Sequence, residues 1–341
     1  YGGEGGDYAG NGTVGSTYGS ITNPVHLGSG AYSRGGAGAI IISSTGTVTV
    51  NGILSADGSG GGGSGGTGSG GSVNIKAATL AGTGTIRANG GAPSYAGGGG
   101  GRVAVVQTAG TSWTPAFQAF GGSSAIDGAA GTIYLEDAND SVNGGELKID
   151  NNSVATVAGT DTVISSLVGA TTVGSLTLSN TAKFVIDTSQ TLTLSGSAMT
   201  VNTGTTFENN GTLAITGDTT IDEGLAGNLN LAESGGTFSC TTAGTRIQFG
   251  AGDTFVVPSG ATFTITGADA NNVELDTDTG TTDWMLNIAG SYSVDYATVG
   301  ESDASGGNTV YAVNSTETPG ASTTNWNFTG GISWDGDTST N

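Results

Sequence analysis

One phrase recurs three times between residues 36 and 122, and it limits the fold more than any other feature of the chain. A glycine run leads into a β-type run, then a turn, then a second β-type run closing on Ala-x-Gly. The openings are Gly38-Ala-Ile-Ile-Ile, Gly71-Ser-Val-Asn-Ile-Lys and Gly101-Arg-Val-Ala-Val-Val. The closings are Ile53-Leu-Ser-Ala56-Asp-Gly58, Thr85-Ile-Arg-Ala88-Asn-Gly90 and Phe117-Gln-Ala119-Phe-Gly121. A fourth opening follows at Gly131-Thr-Ile-Tyr-Leu, so the leading glycines Gly38, Gly71, Gly101 and Gly131 keep a nearly constant interval. Self-similarity at a fixed period means that one unit is stacked on the next. The strands Ile40–Ile42, Val73–Ile75 and Val103–Val106 are therefore expected in register on one sheet. The glycine runs (58 to 71 and 97 to 101) are expected on one side as protruding loops. They are either slack linkers or loops that stack and hydrogen-bond to one another.

Near Asn151 the composition shifts from Gly to Thr and Ser. Short runs such as Ser175-Leu-Thr-Leu-Ser, Thr191-Leu-Thr-Leu, Thr212-Leu-Ala-Ile-Thr and Thr262-Phe-Thr-Ile-Thr alternate apolar with polar residues. That period of two marks half-buried strands. The leucines Leu176, Leu192, Leu213 and Leu229 recur along these runs at a shorter, less even interval than the glycine phrase. Coils of about 16–23 residues suit one circuit of a parallel β-helix, each circuit adding a strand to a parallel sheet. Antiparallel hairpins compete, but they favour short matched turns, and these connections are uneven. No segment reads as a helix. The fold class is all-β, a parallel β-helix with right-handed winding expected. Some 12–16 coils would make a rod of about 60–75 Å at the ~4.8 Å strand spacing. Residues 1–35 form a Gly/Tyr-rich lead-in packing Tyr8, Tyr18 and Tyr32 onto the first coil. Gly-rich coils follow over 36–150, Thr/Ser-rich coils over 151–283, terminal coils over 284–330, and a tail or further module over 331–341.

Glycine, 66 of 341 residues, far exceeds the usual ~7%. Only 5 prolines accompany it, which excludes collagen and polyproline. Disorder is countered by the β-branched runs that recur throughout. The chain carries 28 acidic and 7 basic residues, a net charge of −21. Such a surface repels nucleic acid and anionic lipid, tolerates calcium and suits an exported protein. No run of about 18 apolar residues exists to span a membrane. The sequence starts at Tyr1 rather than Met, so a processed or excised piece of something longer, without a signal peptide of its own, is expected. The lone Cys240, in Thr237-Phe-Ser-Cys, falls on the inward phase of an alternating run.

Val201-Asn-Thr-Gly-Thr-Thr-Phe207, Asn209-Asn-Gly-Thr-Leu-Ala-Ile-Thr-Gly217, Trp284-Met-Leu-Asn-Ile-Ala-Gly and Asn325-Trp-Asn-Phe are similar to modules of large bacterial secreted β-helix surface proteins. These are the adhesins of the filamentous-haemagglutinin and autotransporter-passenger kind. The tail Ile332-Ser-Trp-Asp-Gly resembles the opening of a further module. The resemblance implies export and a place at the cell surface. It brings no catalytic residues with it, because such coils share fold more than function.

Little in the sequence reads as reaction chemistry. His26 is the only histidine, so a Ser-His-Asp triad or a zinc site would have to use it, and no acid or nucleophile stands at motif spacing. Stacked acids could approach the separation of about 5–10 Å found between glycosidase carboxyls. The bases Arg34, Lys76, Arg87, Arg102, Lys148, Lys183 and Arg246 are spread singly, however, and offer no cluster for a uronate. Asp276, Asp278 and Asp283 surround a glycine turn and form a calcium candidate, although EF-hand spacing is absent. Glu136-Asp137 with Asp140, and Glu301 with Asp303, are further acidic turns. Trp113, Trp284, Trp326 and Trp334 are too scattered for a sugar platform, and Trp284 and Trp326 are expected to cap the terminal coils. Rows of Thr could order water, but uneven coils break the lattice. The expected function is a non-enzymatic extracellular stalk, coat or filament segment, associating end to end or within a longer chain. The alternatives are a carbohydrate-binding or polysaccharide-degrading β-helix and a calcium-stabilised adhesin that binds another cell or surface, with cell-surface glycans as candidate partners.

Overall fold

The structure, a computed structural model, describes residues 1–6, 14–31, 34–61, 65–155, 160–168, 171–222 and 228–329. Its elements are strands throughout, with no helix among the described residues. One twelve-stranded sheet runs the length of the molecule, from Ala39–Ser43 at one edge to Thr316–Glu317 at the other. At ~4.8 Å per strand it extends roughly 50–55 Å, somewhat shorter than the sequence suggested. Shorter sheets complete each coil. In the N-terminal half they comprise Thr47–Thr49 with Thr79–Ala81, and Ile53–Ser55 with Thr85–Arg87 and Ala116–Gln118. In the C-terminal half one wall is eight-stranded, and three- and five-stranded sheets supply the other. The chain is a parallel β-helix.

The repeat forms the register that its spacing requires. Ile40 pairs with Val73, Val73 with Val103 and Val103 with Ile133. The closing strands stack likewise, Leu54 on Ile86 on Phe117. Beyond residue 150 the coil length varies more than the leucine spacing suggested. Leu275 follows its partner Ile247 after nearly the interval of the glycine phrase, whereas Glu317 follows Val299 after little more than half of it.

One pairing departs from the parallel pattern. Thr132–Glu136 and Glu146–Asp150 are antiparallel, with Leu147 opposite Tyr134 and Lys148 opposite Ile133. Directly opposed residues share a face. The inward residues of the first half (Val73, Ile75, Val103, Val105, Ile133, Leu135) therefore lie on one face of the long sheet. Leu147, Ile149, Leu176 and Leu178 lie on the other, with Ala104 and Tyr134. Two solenoids thus share one sheet and bury opposite faces of it. Strand direction and inward face reverse together, which leaves the sense of winding unchanged. The structural boundary falls at residues 137–145, so Glu146–Asp150 belongs with the second solenoid and not with residues 36–150. The terminal coils are continuous with that same core.

Gly97–Gly101 does not protrude, nor does the 67–71 end of the first run, whereas residues 58–61 and 65–66 are partly exposed. Ser69–Gly71, Gly97–Gly101 and Gly128–Gly131 are buried. The segment Gly97–Gly101 exchanges backbone hydrogen bonds with Gly2–Gly6, Gly70, Ala88–Gly91, Gly122 and Ile126–Ala129. None of these glycines takes a left-handed φ. Glycine is required for volume instead: a Cβ on Gly98 would collide with the Gly68 carbonyl, and one on Gly100 with the Ala119 carbonyl. The stacking alternative therefore holds for the described glycines, as a backbone-packed bundle beside the first side-chain core. Residues 62–64 lie outside the described residues.

Residues 1–6 and 14–31 run along the outer face of the first solenoid, and Tyr18 does not pack onto the first coil. Tyr18 stacks edge-on against Tyr1 at 5.2 Å, and its carbonyl accepts Arg102 Nε at 3.1 Å. Asn23 and the His26 carbonyl accept hydrogen bonds from Asn74 and Ser72. Ile21 joins the core of Ala104, Tyr134 and Leu147. Thr17 reaches Val163 and Ser165 of the second solenoid. Tyr8 and Tyr32 lie outside the described residues, as does 331–341.

Candidate functional site

The acidic turns singled out from the sequence are fold-building devices. In the 137–145 loop, Asp137 N donates to Asp140 at 2.8 Å and Asn139 N to Asp137 at 2.7 Å. Glu136 accepts from Asn143 N at 2.9 Å and from the Tyr134 hydroxyl at 2.6 Å, and that hydroxyl accepts from Gly145 N at 3.1 Å. These bonds close the reversal. Burial raises the Asp140 carboxyl above its ordinary range. The structure does not bring Asp276, Asp278 and Asp283 together around an ion. Asp276 faces outward, paired with Arg246 at 3.2 Å. Asp278 accepts from Ala251 N at 3.0 Å, and Asp283 offers its backbone carbonyl to Gly252 N. Among the described residues no three acidic, histidine or cysteine side chains are placed to hold a metal. Glu301 and Asp303 likewise accept backbone amides, from Ser322 and Ser305.

Most of the sparse cations tie one coil to another. Arg87 meets Asp57 at 2.6 Å, and Lys183 bridges Asp161 and Glu208 at 3.1 and 3.6 Å, whereas Lys148 meets Glu146 within its own strand at 2.9 Å. Arg102 is fully buried between Tyr18 and Thr132, and burial lowers it to about 10. Glu4 sits in the clamp that holds the N-terminal segment, accepting from Asp161 N at 3.1 Å. Burial pushes its carboxyl up to about 7 against the lowering pull of that hydrogen bond. His26 is exposed, its ring edge-on to Tyr18 at 5.8 Å. Cys240 is fully buried between Ile215 and Ile265, and burial raises its thiol. Trp284 is not a cap: it lies inside the core, stacked on Phe249 at 4.0 Å, its indole N–H on the Gly300 carbonyl. Trp326, half-buried in the last coil, comes nearer that expectation. Trp334 lies outside the described residues.

A recess opens where the first core ends. It encloses about 390 Å³ between the Trp113–Phe117 stretch, the floor residues Ile133 and Leu135, and the polar row Lys148, Asp150, Thr177 and Ser179. The two linings are unlike because the sheet continues past the end of the first core while the second core sits behind it. Thr177 donates to Glu146 at 3.0 Å, which also holds Lys148, and the Asp150 carboxylate lines the same row. Trp113 lies edge-on to Phe117 at 6.0 Å. Trp113 and Lys148 stand out in the sequence one at a time. Their meeting depends on the reversal, which no spacing in the sequence announces.

No family model matches the chain, and no curated protein or solved structure matches it significantly.

Proposed function

We propose that the chain is a non-enzymatic structural module of a bacterial secreted or cell-surface protein, a stiff segment of a stalk, coat or fibre. The carrying observation is the continuous twelve-stranded sheet flanked by two cores, with most cations engaged in joining one coil to the next. A parallel stack resists bending because each coil is hydrogen-bonded to its neighbours along several walls. Few Lys and Arg leave little for trypsin to cut. Small-angle scattering and limited trypsinolysis test this. A rod of roughly 50–55 Å that survives protease is expected; a flexible, rapidly degraded particle would sink the reading.

The recess favours a second reading, in which the same rod carries a weak carbohydrate site. An aromatic edge facing a row of hydroxyl and charged groups suits the apolar face and hydroxyl rim of a neutral hexose. Titrating cellotetraose and chitotetraose against the protein and Trp113→Ala checks it. Millimolar binding that the variant weakens about tenfold supports the site; no saturable signal removes it.

A further inference from the structure

The first coil is built like the coils behind it, but among the described residues no strand pairs with its free side. Its strands Ala39–Ser43, Thr47–Thr49 and Ile53–Ser55 are each paired on one edge only. Ile40, Ile42, Val48 and Leu54 remain half-buried, whereas their partners one coil on, Val73, Ile75, Leu80 and Ile86, are at most 4% exposed. Uncovered sheet edges are normally guarded by charge, proline or bulges. Residues 38–56 contain no charged residue and no proline, in a chain of net charge −21. This end is therefore where two copies can approach without bringing carboxylates together, since Asp57 beside it is neutralised by Arg87.

We propose that two copies dock first coil to first coil about a two-fold axis normal to the long sheet. That operation is the one joining identical coils with both cores on the same side. It sets the Ala39–Ser43 strands antiparallel, Ile41 opposite its own copy and Ile40 opposite Ile42, and extends one core through both molecules. Antiparallel pairing of this sheet already occurs within the chain at Thr132–Glu136 and Glu146–Asp150. The rival arrangement sets the last coil of one copy on the first coil of the next. It joins coils of unlike perimeter, since the circuit from Val299 to Glu317 is far shorter than the one from Ile40 to Val73. A two-fold contact closes on itself, so assembly through this end stops at two copies.

The proposal rests on the coil-on-coil reading of the rod, and its test separates the two. Sedimentation velocity over a concentration series is expected to show a monomer passing to a dimer plateau. Thr49→Lys with Ile53→Lys, both outward-facing on the first coil, should weaken the dimer by at least about tenfold. The same variant should keep the wild-type melting temperature and rod-like scattering. Ile41→Cys should give a disulfide-linked dimer under mild oxidation, because the two-fold places the residue opposite itself within the ~4–7 Å Cα range a disulfide needs. A monomer at every concentration, growth past the dimer, or a lysine variant that still dimerises would each overturn the proposal. Rod-like monomers would leave the structural reading standing; a monomer that is not a rod would remove both.

Discussion

The two solenoids share a sheet and differ in what fills them. In the second, side chains do it. Leu192, Leu213, Phe238 and Phe263 stack rung on rung, Phe238 over Phe263 with centroids 5.4 Å apart. Its strands bury every second residue, as in Ser175–Ser179 and Thr262–Thr266. In the first, the side-chain core is small and aliphatic, and the longer circuits, Ile40 to Val73 and Val73 to Val103, carry glycine runs that pack backbone on backbone. The strand segments Ser72–Asn74 and Arg102–Val105 are buried on both faces, by the core on one side and the N-terminal segment on the other. A thin coil can thus be closed by interlocking side chains or by removing them altogether. The second route tolerates less, because a collision with a carbonyl oxygen cannot be relieved by a rotamer change.

The largest expected effect is therefore a single methyl group. Gly98→Ala should cost more than about 4 kcal/mol and unfold the first solenoid, because the added Cβ meets backbone on two sides. Gly204→Ala in the second solenoid has open space around it, and only its φ of 81° opposes the change. It should cost about 1 kcal/mol. Urea unfolding of both variants makes the comparison, and equal costs would mean that the glycine bundle is no core. Phe238→Ala is expected next, at about 3–5 kcal/mol, from lost burial and the cavity left between Leu213 and Phe263.

The junction between the halves should respond more mildly. Tyr134→Phe leaves Gly145 N without its acceptor and frees Glu136, at a cost of about 1–3 kcal/mol. Hydrogen exchange at residues 143–147 should quicken while exchange at 262–266 does not. Uniform quickening would show that the solenoids melt as one unit and that the reversal is no boundary.

Much of this contrast was legible beforehand. The period of the glycine phrase places Ile40, Val73 and Val103 in one row because a repeat that buries the same face each time has one register. Alternation in Ser175–Ser179 and Thr262–Thr266 marks one buried face. The reversal was not legible, since Asp137-Ala-Asn-Asp-Ser-Val-Asn-Gly-Gly reads equally as a parallel coil connection or a hairpin loop. The recess went unseen with it. The glycines left two roles open because composition cannot say whether a missing side chain provides freedom or room.

The smallest expected effect tests how the N-terminal segment fastens one solenoid to the other. Glu4 titrates near 4.5 when unfolded and at about 7 in the folded chain, where burial favours its neutral form. Its protonated form therefore contributes stability that is complete below pH 4.5, fades as pH rises, and is gone above about 7. The useful readout is the difference between wild type and Glu4→Gln. At pH 8 the variant should be more stable by about 1 kcal/mol, a figure reduced for the partial exposure of Glu4. The gap should shrink to nothing near pH 4.5, where both side chains are neutral. A gap that stays constant with pH would mean that Glu4 is solvated and that the clamp at Asp161 and Lys183 does not hold the segment across the two halves.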